Sequence, residues 1–595
     1  MDAAQSLAAF LAQAPAEVRT LHERLAALGM TGTYRKYLEN AGPAELHAFF
    51  SDLARVDFDH LARHRAALLG EDAAWGPRDL VPIQPAVLRS EPQADLIEVG
   101  RASLANGEWA VLVFAGGAST RFYAEAHRHP KARKLVEHHG FEPPKGLFPV
   151  GPVSGRCFLE VFAAETLASG VAHGRMPFFL LLTSVVTDEP IREWLRSSAL
   201  WGFPKELAWI VQQAAHPRLD MDGDLVAGPD GRLLWTGDGH GGAFRAILSQ
   251  ENGDVAGVLR RAGVRGLVVH NVDNAAARAL DPARIGFHVR TGARMTLGVV
   301  PRMRMDEKVG LVAKDRITGR IEVFEYSACP PEVAEAMDPE GLPRFRLAHI
   351  CTNLVSLDAI RADLPATLYR GKRVRIGDRE VMTSSLERLN QHLSSLLPAE
   401  QVQVLLLERE EFFLPTKTLT GPDSHETTVA ALCEAGRRRL RQAGAWVHDR
   451  AEVEFDPCLS DLHAAGIGPD WRVAEQARIF LGVRHGVHGN PPFAQGLTVG
   501  ERATLKVEAE FPYGRLRVAR DTRAAREDPD TAGRVRIGPG VRIEPGCRFE
   551  AVIGEGGTLV VAGRARLSGT LEIRVPAREW RVIGPDGTIQ AEGRE

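Results

Sequence analysis

The run Val111-Leu112-Val113-Phe114-Ala115-Gly116-Gly117-Ala118-Ser119-Thr120-Arg121 is a short apolar segment that ends in two glycines, a hydroxyl pair and an arginine. Branched and aromatic residues in an unbroken run, stopped by glycine, suit a strand buried on both faces. Beyond such a strand, adjacent glycines let backbone N–H groups approach a triphosphate, and Arg121 adds a permanent charge for phosphate oxygens. A plain tight turn reads the same two glycines without any ligand. The spacing is neither G-x-G-x-x-G nor G-x-x-x-x-G-K-[ST], which excludes the dinucleotide and Walker loops.

Working outward, the same texture recurs at Phe178–Leu182, Trp209–Val211 and Leu267–Val269, with helical periods between. Alternation of this kind predicts a wound α/β domain with its ligands beyond the carboxyl ends of the strands. Upstream, Leu21, Leu25 and Leu28, then Leu46, Phe49, Phe50 and Leu53, step by three and four residues and predict amphipathic helices. A last helix passes through Ile97, Val99 and Leu104 and stops at Asn106-Gly107. Downstream, Val535, Ile537, Val541, Ile543, Cys547 and Phe549 step at about six residues, as the turns of a β-helix do. A short β-helix and a small sandwich both fit. The expected organisation is a helical N-terminal region over residues 1–105, an α/β domain over 106–450 and a β-rich C-terminal domain over 451–595.

Of 595 residues, 44% are hydrophobic and 25% charged, and 73 Lys+Arg against 76 Asp+Glu leave a net charge of -3. No global field therefore favours nucleic acid or an anionic membrane. No stretch reaches the run of about 18 apolar residues that a span needs, and Met1–Pro15 lacks the basic-then-apolar layout of a secretory signal. The expected location is cytoplasmic. The six cysteines form no C-x-x-C pair and read as reduced packing residues. The pairs His127/His129, His138/His139 and His485/His488 read as solvated loop histidines, since no third ligand type stands at metal spacing.

A second signal is Pro144-Lys145-Gly146-Leu147, which puts one lysine on a rigid, glycine-flanked turn where it can reach a phosphate as a point charge; an exposed surface lysine is the plainer reading. Together, G-G-x-x-T-R followed by P-K-G resembles the activating loop of sugar nucleotidyltransferases. Further blocks follow in order: Ile210-Val211-Gln212-Gln213, Gly237-Asp238-Gly239-His240-Gly241-Gly242, His270-Asn271-Val272-Asp273-Asn274, Val309-Gly310, Phe324-Glu325-Tyr326-Ser327, Phe345 to Asn353, Phe413-Leu414-Pro415-Thr416-Lys417 with Asp423-Ser424 and Thr427-Thr428, and Glu454-Phe455-Asp456-Pro457. Over roughly residues 10 to 465 the chain resembles the UDP-sugar pyrophosphorylases, most closely their UDP-N-acetylglucosamine branch.

The resemblance implies a nucleotidyltransferase-type, Rossmann-like central mixed sheet and a uridylyltransferase that makes a UDP-sugar, UDP-N-acetylglucosamine or UDP-glucose, from UTP and a sugar 1-phosphate. It implies that Gly116, Gly117, Gln212 and Gly239 hold the nucleotide; the Gln212 amide offers both the donor and the acceptor that a uracil edge requires. Asp273 ends an apolar strand where a carboxylate can hold Mg²⁺ against phosphate oxygens, the role of the family's aspartate here. His240, Gly310, Glu325 and His349 line the sugar side by the same resemblance. Lys417 matches the lysine that reaches the phosphate from the second domain. The implied chemistry is in-line attack of a sugar 1-phosphate oxygen on the α-phosphorus of UTP, which needs positioning and the charges of Arg121, Lys145 and Lys417 rather than a covalent nucleophile.

The chain departs from the pattern at Ser119 and Tyr123, where the family has glycine, and at His349, where its UDP-N-acetylglucosamine branch has asparagine. His240 matches the glucose enzymes and Gly242 the N-acetylglucosamine enzymes. A basic insertion, HRHPKARKLVEHHG, lies between Arg121 and Pro144 and reads as a solvated excursion or a lid. Two rival functions stand beside the enzyme: a UDP-sugar-binding regulator without catalysis, and a hexapeptide-type acyltransferase, which requires a C-terminal histidine that is absent beyond His488. The sequence leaves the oligomeric state open.

Overall fold

The apolar run becomes Trp109–Phe114 (β1), a strand whose residues are all buried. The computed structural model describes residues 3–70, 78–87, 93–117, 119–198, 200–307, 309–325, 329–483, 495–509, 517–518, 523–526 and 533–594. Ala118, Tyr326, Ser327, His485 and His488 lie outside them. Beside β1 and parallel to it runs Phe178–Thr183 (β2), followed by Ala208–Gln212 (β3). Ala215–Pro217 (β4) and Trp235–Gly237 (β5) pair as a separate antiparallel ribbon. On the other side of β1 comes Gly266–Asn271 (β6), again parallel. Beyond β6 the sheet turns antiparallel through Met295–Pro301 (β7), Gly310–Asp315 (β8), Ile321–Phe324 (β9), Leu347–His349 (β10) and Asn353–Ser356 (β11). The order β8-β10-β7-β11-β6-β1-β2-β3 forms the spine of a 12-stranded mixed sheet. Ala366–Ile376 (β12) and Arg379–Arg388 (β13) make a long hairpin outside it. The expected α/β class and the predicted strands are therefore present, and the central strands are apolar throughout because they are covered on both faces.

The helices that matter below are Phe58–Leu69 (α1), Gln93–Ala105 (α2), Pro130–His139 (α3), Phe158–His173 (α4), Pro282–Thr291 (α5) and His425–Gln442 (α6). Asp57 caps α1 by accepting from the N–H groups of Asp59 and His60. Glu160 reaches back to the Cys157 N–H at 2.8 Å at the start of α4. The helix predicted to end at Asn106-Gly107 is α2. Leu25, Leu46, Phe49, Phe50, Leu53 and Leu61 form one core with Leu219, Leu225 and Leu233, so the N-terminal helices pack on the segment that joins β4 to β5. Full burial of each such side chain contributes about 1.5–3 kcal/mol.

From Trp446 onward the chain winds into parallel coils. Val447, Val473, Val499, Ile543 and Leu567 occupy equivalent register positions on successive turns, as do Val453, Ile479, Leu505, Phe549 and Leu571. The inward rows form a continuous core in which Trp471 is fully buried. This coil also braces the site. Glu454 accepts from the Val153 and Ser154 N–H groups at 2.8 and 2.7 Å, and Asp456 pairs with the buried Arg156 at 2.5 Å. The turn that follows Lys145 is thus held by carboxylates some 300 positions away.

The basic insertion is a helix, α3, whose charged residues stay exposed, in keeping with the solvated reading, while a few residues dock it. His129 caps it through Nδ1, accepting from the Ala132 N–H at 3.3 Å, and Ala132 is fully buried. The His129 ring packs against Phe148 and His425, so it is not a free loop histidine. None of the six cysteines is in a disulfide, and five are buried. Among the described residues no helix is long and apolar enough to cross a membrane.

Candidate active site

The carboxyl ends of β1, β3 and β6 carry the quoted motifs to one edge of the sheet. Phe114 and Asn271 are register partners, so the glycine loop and the Val272-Asp273 segment emerge side by side. Ser119 stands at φ +55°, in the left-handed region that favours glycine. Its Oγ accepts from the Lys145 N–H at 3.1 Å and donates to the Gly117 carbonyl at 3.2 Å, so the substitution that departs from the family pattern fastens the two phosphate-loop candidates together. Tyr123, the other departure, is buried edge-on against Phe122 and Phe148.

We expect Ser119→Ala, which keeps the strained φ and loses both hydrogen bonds, to lower stability by about 0.5–1.5 kcal/mol per bond. Ser119→Gly recovers part of that loss by relieving the backbone. Denaturant midpoints of the two variants check the order, and Ser119→Ala at least as stable as wild type would refute the clamp.

Lys145 Nζ donates to the Thr416 carbonyl at 2.9 Å and pairs with Asp273 Oδ2 at 3.2 Å. Its ammonium also lies 5.3 Å from the Phe122 ring centre. The Thr416 N–H in turn donates to the Asp273 carbonyl at 2.9 Å. The P-K-G turn, the end of β6 and the F-L-P-T-K loop therefore meet at one point, and the next residue is Lys417, 40% exposed and 3.7 Å from Asp423. Arg121 is exposed on the short helix after the glycine loop. Desolvation and then the Arg218 charge, against Glu387, lower the Lys372 ammonium on β12, with Arg121 adding a smaller effect in the same direction.

Gln212 closes β3 with its backbone tied to Asn252 at 2.9 and 3.1 Å. The amide that lies against the glycines belongs to Gln213. A Cβ on Gly116 or Gly237 would overlap its Nε2, and its Oε1 is buried without a partner. Strand alternation sends the two glutamines to opposite faces, so the tandem pair needed the fold to be separated. Gly239 has φ +82°, and a Cβ there would collide with the Arg388 carbonyl. It begins the turn into the segment with His240.

A second cluster is joined by buried amides. Asn390 donates to His240 Nδ1 from its backbone at 3.1 Å and its side chain at 2.9 Å. Its Oδ1 accepts from Asn353 Nδ2 at 2.7 Å, and Asn353 Oδ1 is 3.0 Å from His349 Nε2. Gln391 donates to Glu325 Oε1 at 2.6 Å. Gly310 is the register partner of His349 and would bring a Cβ to 3.4 Å from the same Glu325 oxygen. All four sugar-side candidates are thus connected, and Asn390 and Gln391, which connect them, carry no motif of their own. With Nδ1 accepting, His240 presents an Nε2–H, and its ring stacks on Phe114 at 5.1 Å. Burial raises the Glu325 carboxyl, against the opposing effects of the Gln391 hydrogen bond and the Lys417 charge.

Burial, aided by neighbouring histidines, lowers His240 to about 3 and His349 to about 4. An unfolded histidine binds a proton near 6.5, so below that pH the unfolded chain takes up protons that the folded one refuses. Stability from these groups is fully present above about pH 6.5 and is lost as pH falls toward 4 and 3. Denaturant unfolding from pH 7.5 to 4.5 should show a falling midpoint that flattens in a His240→Asn/His349→Asn variant; an unchanged slope in that variant would count against both histidines.

No protein-family model matches the chain. It is 25% identical over 479 residues to the UDP-N-acetylglucosamine pyrophosphorylase of Saccharomyces cerevisiae, covering 72% of this chain and 95% of that protein. It is 27% identical over 351 residues to UDP-N-acetylhexosamine pyrophosphorylase-like protein 1 of Xenopus tropicalis, covering 56% of this chain and 64% of that protein, just under two thirds of its length. Among solved structures, the uridine diphosphate N-acetylglucosamine pyrophosphorylase of Trypanosoma brucei superposes with a TM-score of 0.60 at 20% identity, over 77% of this chain and 94% of that one. That likeness carries the fold.

Proposed function

Because the chain belongs to the UDP-sugar pyrophosphorylase family, we propose that it is a uridylyltransferase that joins UTP and a sugar 1-phosphate into a UDP-sugar, UDP-N-acetylglucosamine or UDP-glucose, with release of pyrophosphate. The observation that carries this reading is the junction of Lys145, Asp273 and Thr416-Lys417 at the carboxyl edge of the sheet, against the Gly116-Gly117 loop.

In this reading the glycine loop and Gly239 admit the nucleotide to close backbone approach, and the Gln212/Gln213 strand end supplies the amides for its base. An oxygen of the sugar phosphate attacks the α-phosphorus of UTP; a new P–O bond forms as the bond to the β-phosphate breaks, and pyrophosphate leaves. The nucleophile is already an anion, so no general base is needed. Arg121, Lys145 and Lys417 hold the phosphates in line and offset the charge that accumulates on them. His240 donates from Nε2, and Glu325 accepts from sugar hydroxyls.

Asp273 fits Mg²⁺: its carboxylate is 26% exposed at the strand end, a hard oxygen donor of the kind that shares this ion with substrate phosphates. When bound, Mg²⁺ supplies charge neutralisation to the phosphate oxygens.

The test is incubation of the protein with UTP, Mg²⁺ and a panel of sugar 1-phosphates, following pyrophosphate and identifying the nucleotide product by mass. Release with a particular sugar establishes the reaction and its substrate. Silence across the panel, with UDP-sugar still bound, replaces the enzyme by a sugar-nucleotide-binding regulator.

A further inference from the structure

Away from this edge, three buried side chains converge where α1, β4 and the turn after β5 meet. His60 comes from α1, His216 from β4 and Asp238 from the residue that follows β5; they are 1%, 3% and 0% exposed. Neither ring nitrogen of His60 or His216 has a hydrogen-bond partner, and neither has Asp238 Oδ2. One ligating atom from each residue lies within 4.8 Å of those from the other two, and His216 Nε2 is 3.5 Å from Asp238 Oδ1.

The imidazoles are stacked face to face, with centroids 3.5 Å apart and planes 9° from parallel. Stacking satisfies none of their polar atoms, because imidazole donors and lone pairs lie in the ring plane. A neutral imidazole carries one donor and one acceptor, so the stack buries both kinds unmet. Buried polar atoms in native proteins are nearly always paired, and unpaired ones gathered at one point call for something to bind them.

We propose that His60, His216 and Asp238 form a site for a divalent transition-metal ion, with zinc the best match to two imidazoles and one carboxylate. The carboxylate is already aimed for this. Arg388 donates to Asp238 Oδ1, which leaves Oδ2 for the ion, the arrangement by which an outer hydrogen bond orients a metal ligand. The same guanidinium places a positive charge nearby, so the affinity rests mainly on the two neutral imidazoles. Parallel rings cannot both direct an in-plane lone pair at one ion, so binding turns them out of their stack. His64, one helical turn beyond His60, stays outside the set because its Nε2 is occupied by Ser384 Oγ at 3.0 Å.

The three ligands belong to the N-terminal helices, the β4/β5 ribbon and the turn that leads to Gly239 and His240. The ion therefore staples the helical region to that turn, and its role is structural and separate from Asp273 and the phosphates.

The full chain, freed of any affinity tag and purified without chelator from zinc-supplemented medium, is assayed by elemental mass spectrometry. About one zinc per chain is expected, with a Tm that falls on chelation and recovers with Zn²⁺ but not Mg²⁺. Cobalt added to the stripped protein is expected to give visible d–d absorption from an N/O-ligated ion. His60→Phe and His216→Gln fill the stack without offering a strong ligand, and each should lose the ion while keeping its far-ultraviolet circular dichroism. Absence of metal from the purified protein, together with no cobalt spectrum and no Tm response to zinc, overturns the site. Retention of the ion by a folded His60→Phe/His216→Gln double variant overturns it as well. The wild-type chelation and cobalt measurements decide the matter even where a variant does not fold.

Discussion

Lys145→Ala is expected to lower kcat/KM for UDP-sugar formation by roughly 10² to 10³, about 2.7 to 4 kcal/mol of transition-state stabilisation, the scale measured for loss of one well-placed charge-stabilising donor. The lysine is 12% exposed and held on two sides, by Asp273 and by the Thr416 carbonyl, so its ammonium needs little reorganisation when charge builds on the phosphates. Lys145→Arg is expected to recover little, because a planar fork cannot occupy the place of a compact ammonium between those two partners. Steady-state kinetics with intact circular dichroism checks the prediction; near-normal turnover in Lys145→Ala would remove the lysine from the reaction.

Asp273→Ala carries a comparable expected loss, again about 10² to 10³ in kcat/KM, together with a raised Mg²⁺ requirement. Two effects combine. The carboxylate that fits the ion is removed, and Lys145 loses its ion-pair partner and becomes free to swing from its position. Because the residues touch, their losses should not add. The double variant Lys145→Ala/Asp273→Ala is expected to fall well short of the product of the single effects. A Mg²⁺ titration that superposes on wild type in Asp273→Ala would dismiss the aspartate as the ion's holder. Strict additivity would show that the pair seen here does not operate as a unit.

The departures from the family pattern acquire physical content in the folded chain. Ser119 accepts a left-handed backbone and binds the neighbouring loop with its hydroxyl, and Tyr123 fills the core beside Phe122 and Phe148. His349 is tied through Asn353 and Asn390 to His240, so the position where the UDP-N-acetylglucosamine branch has asparagine is part of a buried polar chain. A substitution in either histidine is therefore felt by the other.

What could be read from the linear chain was local. Apolar runs that end in glycine or aspartate are strands whose ends must face a ligand edge, and β1, β2, β3 and β6 lie where those runs stand. Three- and four-residue steps placed helices along the N-terminal region, and the six-residue step after Val535 marked the β-rich end. Such periodicities are legible because each is imposed by backbone geometry over a few residues. The tertiary structure alone decided the rest. It chose Gln213 over Gln212 as the amide beside Gly116 and folded the basic insertion into a helix docked by His129. It also brought Asn390 between His240 and Asn353, and it set His60 against His216 and Asp238. Each of these joins residues far apart in the chain or separates two adjacent ones by face. Composition and spacing carry no record of such contacts, because they depend on how whole elements pack rather than on any residue's near neighbours.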